Sequence, residues 1–275
     1  MRLSFAFSPC PNDTFMFEPL VNNRINHDGF DFDITMDDVE NLNKAALQNI
    51  PDITKLSFNA YTKLYDRYQL LTSGSALGRN CGPLLISKKE IRVSDIKNIR
   101  IAIPGYNTTA FFLLKYAFPE IDKTEEMIFS DIEKAVLNEK IDAGVIIHEN
   151  RFTYQAKGLR KIMDLGEYWE QKTGFPIPLG GIAIKRSFPD YIKRKVNSLL
   201  KQSISYAFDH PEAGLDFTRK HAQEMDSKVI FSHIDLYVNE FSRELGNEGK
   251  KAVLALFKTV YPTYNESNFG QLFVE

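Results

Sequence analysis

The sequence predicts an α/β protein of two open domains joined by two crossing strands, and three observations carry that reading. Strand-like and helix-like patterns alternate along the chain in two successive blocks, the arrangement of mainly parallel sheets covered by helices. An unbroken apolar run, Ala143-Gly-Val-Ile-Ile147, reads as a strand buried on both faces. Two segments of similar build, Gly82-Pro-Leu-Leu-Ile-Ser-Lys-Lys89 and Gly180-Gly-Ile-Ala-Ile-Lys-Arg186, each place a short apolar strand between a leading glycine and a basic pair. That is expected of strands that pass between domains and act as a hinge. Residues 1–88 and 186–275 then form a larger discontinuous domain, and residues 89–185 a smaller inserted one, with the ligand cleft between them.

Taken in order, residues 2–7 alternate as a strand and lead into Ser8-Pro-Cys-Pro-Asn-Asp-Thr14, after which Phe15, Phe17 and Leu20 begin a helical stripe. Asn12 or Asp13 is the expected N-cap. Phe30-Asp-Phe-Asp-Ile-Thr35 alternates as a second strand, and a helix begins near Asp37-Asp-Val-Glu40. These acidic residues lack the spacing of a calcium loop and suit a solvated strand face and a first helical turn. Asp52–Ser57 is a short strand, with a helix starting at Ser57-Phe-Asn59. The second block repeats the plan. Strand Ile99–Pro104 is followed by a turn at Gly105-Tyr-Asn107, a helix from Thr108-Thr109, a helix near Asp131, and the apolar strand that ends on His148. From Pro189 onward the pattern is helical, and this tail is expected to pack back on the first domain.

Composition narrows the function. Hydrophobic residues at 43%, charged residues at 25% and a formal net charge of −2 describe a soluble globular chain without the basic surface that nucleic acid or anionic lipid requires. Apolar runs fall short of the roughly 20 residues of a membrane span, and Pro9 and Pro11 interrupt the first one too early for a signal peptide. Cys10 and Cys81 have neither disulfide-framework nor metal-cluster spacing, so a cytoplasmic protein is expected. Dinucleotide, phosphate-loop and zinc-protease motifs do not occur. The sequence sets no oligomeric state.

Chemistry concentrates at strand ends, because ligands of open α/β sheets sit beyond the carboxyl ends of the strands. His148 stands there; it either carries chemistry or closes the strand by bonding a backbone carbonyl. Glu149 and Arg151 beside it either assist it or pair with each other. Three helices start directly after strands with small polar residues: Asn12-Asp13-Thr14, Ser57 with Asn59, and Thr108-Thr109. Each is an anion-binding helix terminus or an ordinary cap. Lys55 adds charge to such a site or is solvated. Cys10, without an adjacent base, is left as lining. His27, His210, His221 and His233 are expected on the surface, and Tyr154, Tyr168 and Trp169 roof a flat ring or pack in the core.

With these residues in place, the chain resembles the 1,4-dihydroxy-6-naphthoate synthases of the futalosine route to menaquinone along its full length. The resemblance is carried chiefly by Phe7-Ser-Pro-Cys-Pro-Asn-Asp-Thr-Phe15 and Gly144-Val-Ile-Ile-His-Glu-Asn-Arg-Phe-Thr-Tyr154. Thr54-Lys-Leu-Ser57, Ser75-Ala-Leu-Gly-Arg79 with Gly82-Pro83, Asn107–Leu114 and Pro178-Leu-Gly-Gly-Ile182 support it. It implies a fold like the type II periplasmic binding proteins. It also implies a cofactor-free, metal-free carbon–carbon lyase that converts cyclic dehypoxanthine futalosine to 1,4-dihydroxy-6-naphthoate with release of a sugar-derived fragment. His148 is then the general base, and Asn12, Lys55, Leu56, Ser57, Thr108, Thr109 and Ala110 meet a small, carboxylate-bearing substrate. The alternatives are a non-catalytic small-molecule binding protein on the same fold and the sister chorismate dehydratase, whose motifs fit less well.

Overall fold

The computed structural model describes all residues except 223–225 and 265–269. Among the described residues the chain divides into two units, Met1–Gly78 with Pro178–Glu275, and Arg79–Ile177.

The larger unit opens with β1 (Arg2–Phe7), α1 (Pro11–Val21), β2 (Asp31–Met36), α2 (Val39–Leu47), β3 (Ile53–Ser57) and α3 (Phe58–Tyr61), followed by the short strands β4 (Tyr68–Leu70) and β5 (Ala76–Gly78). The smaller unit holds β6 (Leu84–Ser87), β7 (Ile101–Ile103), α4 (Thr109–Ala117), β8 (Thr124–Glu126), α5 (Phe129–Leu137), β9 (Ala143–Ile146), α6 (Asn150–Thr153), β10 (Arg160–Asp164) and α7 (Leu165–Thr173). The chain returns to the larger unit with β11 (Ile177–Lys185) and closes on helices α8 (Asp190–Asp209), α9 (Leu215–His221), α10 (Ser227–Tyr237), α11 (Glu240–Arg243) and α12 (Gly246–Val260). No helix among the described residues is long and apolar enough to cross a membrane.

The two sheets share one plan. The larger runs β2-β1-β3-β11-β4, with β5 also on β11; the smaller runs β10-β6-β9-β7-β8. In each, the first strand of the βαβαβ run lies between the second and third and is parallel to both. An antiparallel strand, β11 or β6, then covers the third. Burial follows position: β3 and β9, paired on both sides, are buried at every residue, whereas edge strand β2 alternates between exposed and half-buried. Gly144 in β9 lets α5 pack close, since a Cβ there would lie 2.4 Å from Ile132 Cγ2.

The larger core joins Phe5, Phe7 and Phe17, whose rings meet at tilted and edge-on angles, to the face of α8 that carries Ile192, Val196, Leu199, Leu200 and Ile204. Their spacing of three and four residues puts them on one helical stripe. The C-terminal helices thus pack on the first domain. The smaller core gathers Leu84, Ile86, Ala102, Ile132, Val136 and Ile146.

Two expectations are corrected. The divisions fall at Gly78–Arg79 and Ile177–Pro178, not after residues 88 and 185. The reason is strand pairing: β6 pairs with β9 and β10, whereas β11 pairs with β3 and β4, so each glycine-led strand belongs to one sheet. Gly180 and Gly181 accordingly sit in the β11 ladder opposite Ser57 and Leu56. A Cβ at Gly180 would stand 2.7 Å from the Leu56 carbonyl oxygen, so close approach of the two strands accounts for a glycine at this position.

Candidate functional site

In a sheet of this order the first and third strands of the βαβαβ run are neighbours whose connections leave in opposite directions, and the crevice beyond their carboxyl ends is where ligands bind. Each unit has one such switch point, and the expected site residues fall at both.

In the smaller unit the switch point lies between β7 and β9. Beyond β7, Thr108 is the N-cap of α4: its Oγ1 accepts from the Phe111 N–H at 3.1 Å and donates to the Gly105 carbonyl at 2.7 Å. Its hydroxyl is therefore committed to capping. Thr109 and Ala110, both buried, form the first turn of α4, at the positive end of its dipole. Beyond β9, His148 is half-buried, with φ +57, and its ring meets Phe129 at 5.0 Å and 65°. The strand ends two residues earlier, at Ile146. A left-handed backbone is uncommon for a residue with a side chain, and such conformations gather at active sites and switch regions. Arg151 pairs with Asp164 at 3.0 Å and not with Glu149; Glu149 is buried at the start of α6.

In the larger unit the switch point lies between β1 and β3. The helix after β1 is capped by Cys10, with Pro11 at the position where a missing N–H costs least. Asn12 and Asp13 are thus inside the first turn, which corrects the expected cap, and they form a buried polar chain. Asp13 Oδ2 accepts from the Ser8 N–H at 3.1 Å and hydroxyl at 2.7 Å; Oδ1 accepts from Asn12 Nδ2 at 2.7 Å and Lys55 Nζ at 2.6 Å. Asn12 Oδ1 in turn lies 2.9 Å from His233 Nε2. As the amide oxygen only accepts, that nitrogen carries the proton. Lys55 is consequently buried and neutralised, not solvated, and His233 is fully buried, not on the surface. Ser57 pairs through both backbone and side chain with Asn43 of α2, its N–H donating at 3.0 Å and its Oγ accepting at 3.1 Å, and makes no capping bond to α3. Leu56 is wholly buried.

Sequence reasoning missed the His233–Asn12–Asp13–Lys55 chain, because its members lie far apart along the chain and only the packing of α10 on α1 joins them. The one available signal was the apolar company of His233, which stands beside Ile234 and one turn from Val229 and Ile230. Trp169 and Tyr154 are core residues: Trp169 is fully buried with its Nε1 donating to the Pro176 carbonyl at 3.2 Å, and Tyr154 belongs to the small core.

A family model described as menaquinone biosynthesis matches residues 3–262. A 1,4-dihydroxy-6-naphthoate synthase of Thermus thermophilus is 42% identical over 255 residues, covering 93% of this chain and 92% of the relative. A protein of the same name from Streptomyces coelicolor is 39% identical over 259 residues, covering 92% and 91%. Among solved structures, an Archaeoglobus fulgidus protein superposes with a TM-score of 0.89 at 29% identity, covering 96% of this chain and 98% of that one. The periplasmic aliphatic sulphonate binding protein of Escherichia coli superposes with a TM-score of 0.64 at 12% identity, over 95% of this chain and 87% of its own, a likeness of fold alone.

Proposed function

The chain belongs to the menaquinone biosynthesis family, and on that premise we propose that it is a 1,4-dihydroxy-6-naphthoate synthase in which His148 is the general base. The observation that carries the proposal is the placement of an imidazole beyond β9, on a backbone turned into the left-handed region, next to the strand that feeds the α4 N-terminus. The proposed substrate is cyclic dehypoxanthine futalosine. Elimination beside a carbonyl needs a base that is neutral near working pH, which imidazole supplies without a cofactor.

The substrate carboxylate is assigned to the first turn of α4, where the backbone N–H groups of Thr109 and Ala110 and the Thr109 hydroxyl supply donors at the positive end of the helix. The Thr108 hydroxyl holds that turn in shape instead of meeting the anion. In the larger unit, Asn12, Lys55, Leu56 and Ser57 are the proposed substrate-contacting positions. Their roles differ: Leu56 contributes through its backbone, since its side chain is in the core, and Lys55 presents an ammonium already held by Asp13. The reading places the reaction in the cytoplasm, where the free thiols of Cys10 and Cys81 stay reduced.

The test is direct. Purified protein incubated with cyclic dehypoxanthine futalosine, without added metal or nucleotide, should form the naphthoate, followed by absorbance and mass. His148→Asn should lower kcat by about 10²–10⁴-fold while product still binds. In the wild type, the rate should climb with pH as the imidazole loses its proton. Undiminished turnover by His148→Asn would remove the base assignment; absence of the naphthoate with wild type would remove the activity itself.

A further inference from the structure

Building on the assignment of His148 as the base, we propose that Arg151 and Asp164 are positioning residues that hold the His148 turn in its left-handed conformation. The turn is short. His148 has φ +57, and the helix that follows, α6, is a single turn of four residues. An isolated turn fixes several dihedrals for little hydrogen bonding, so it needs an external anchor. Within the turn, Arg151 N–H reaches the His148 carbonyl at a long 3.4 Å, and Phe152 N–H reaches that of Glu149 at 2.9 Å.

The anchor is the Arg151 guanidinium, three residues beyond His148. Its Nη2 donates to Asp164 Oδ2 at 3.0 Å, and its Nη1 donates to the Gly82 carbonyl. Both partners are themselves fixed. Asp164 uses Oδ1 to accept from the Gly166 and Glu167 N–H groups, each at 3.0 Å, as the N-cap of α7. Gly82 lies against Gly166 so closely that a Cβ on Gly82 would stand 2.3 Å from Gly166 Cα. One planar fork therefore ties the turn to the approach to β6, the end of β10 and the start of α7.

A largely buried ion pair is weak evidence for stability, because apolar side chains of similar volume often serve stability as well. What apolar groups lack is direction: a guanidinium with two fixed acceptors sets the position of its own backbone, and with it the turn that aims the imidazole. Phe129 limits the ring from one side, at 5.0 Å, so ring and backbone are held by separate contacts.

The experiment uses the full-length chain with Arg151→Met, Arg151→Lys and Asp164→Asn, each assayed for naphthoate formation, thermal stability and the histidine titration of His148 by NMR. Misplacing a reacting group by about 1 Å can cost on the order of 100-fold, so Arg151→Met and Asp164→Asn should lower kcat about 10- to 100-fold with KM within about twofold. The His148 titration should move with kcat. Arg151→Lys, which keeps the charge but cannot fork, should recover part of the rate. Should Arg151→Met not fold, Asp164→Asn carries the test, since asparagine preserves the α7 cap. If the variants melt earlier yet keep wild-type kcat and an unmoved His148 titration, the pair is merely stabilising and the proposal fails. Failure of the base assignment is separable: it would show as turnover by His148→Asn, whatever the Arg151 variants do.

Discussion

Replacing Asp13 by asparagine keeps the shape of the side chain but removes the charge that neutralises Lys55. The pair is 2.6 Å apart, with the two side chains 7% and 0% exposed. At an effective dielectric of about 20 their attraction is on the order of 6 kcal/mol, and stranding one member of a buried pair typically costs about 3–5 kcal/mol. Asp13→Asn should therefore destabilise the larger unit by about 3–5 kcal/mol. Lys55→Met should cost less, about 1.5–3 kcal/mol, because the carboxylate keeps the Ser8 N–H, the Ser8 hydroxyl and the Asn12 amide. The double variant strands no charge, so its loss should fall short of the sum of the singles by about 2 kcal/mol or more. Urea unfolding followed by far-UV circular dichroism measures this, with fluorescence of Trp169 recorded in parallel because the one tryptophan lies in the smaller unit. Additive single effects, or a loss below about 1 kcal/mol for Asp13→Asn, would refute the argument that the ammonium is buried and depends on this carboxylate.

The two threonines of α4 should separate. Thr108→Val removes a cap and should cost about 1 kcal/mol of stability, whereas Thr109→Val should raise KM around tenfold with little change in melting. Equal effects on KM from both would contradict the division of labour. Asp52 gives a pH dependence. Burial pushes its carboxyl up, but the Ser4 N–H and the Lys185 ammonium together outweigh that and hold it below the ordinary 3.8. Its stabilisation is complete above that value and fades as pH falls through the depressed one, so melting temperature should drop less on acidification in Asp52→Asn than in wild type. Parallel acid profiles would show that the contact contributes nothing. Burial also drives the Cys81 thiol up to about 12, which predicts no carbamidomethylation by iodoacetamide near pH 8 in the native protein and ready reaction in urea. Native labelling of Cys81, read by peptide mass, would count against its burial.

How far these features could be read from sequence depended on range. Alternating Phe30–Thr35 and the apolar run before His148 were legible as strands because side-chain period and burial are local properties. The cap at Thr108 was legible for the same reason. What failed was non-local. Asn12 and Asp13 carry the usual capping side chains, but Pro11 suits the first helical position so well that the helix starts one residue before Asn12. His233 looked like a polar-face residue because its partner, Asn12, is more than two hundred positions away. The glycine pair Gly180-Gly181 suggested bending, and the close approach of β3 to Gly180 was not legible locally. Arg151 could have been matched to Glu149 by proximity alone; its actual partner, Asp164, is revealed only by the β10–α7 corner.

The place of β11 has a consequence for how the chain is made. This strand sits inside the larger sheet, between β3 and β4, yet it is translated only after the whole of Arg79–Ile177. Until then β3 shows an unpaired edge and β4 and β5 have no strand to join, although every other strand of that sheet already exists. At about 5–20 residues per second the ribosome leaves that edge open for roughly 5–20 s, while the smaller unit, continuous in sequence, can complete itself first. An exposed strand edge is the usual starting point of misassociation. A nascent chain stopped after Ile177 should therefore hold a complete smaller unit beside an aggregation-prone larger one, and extension through Pro178–Glu275, which adds both β11 and the helices of the larger core, should cure it.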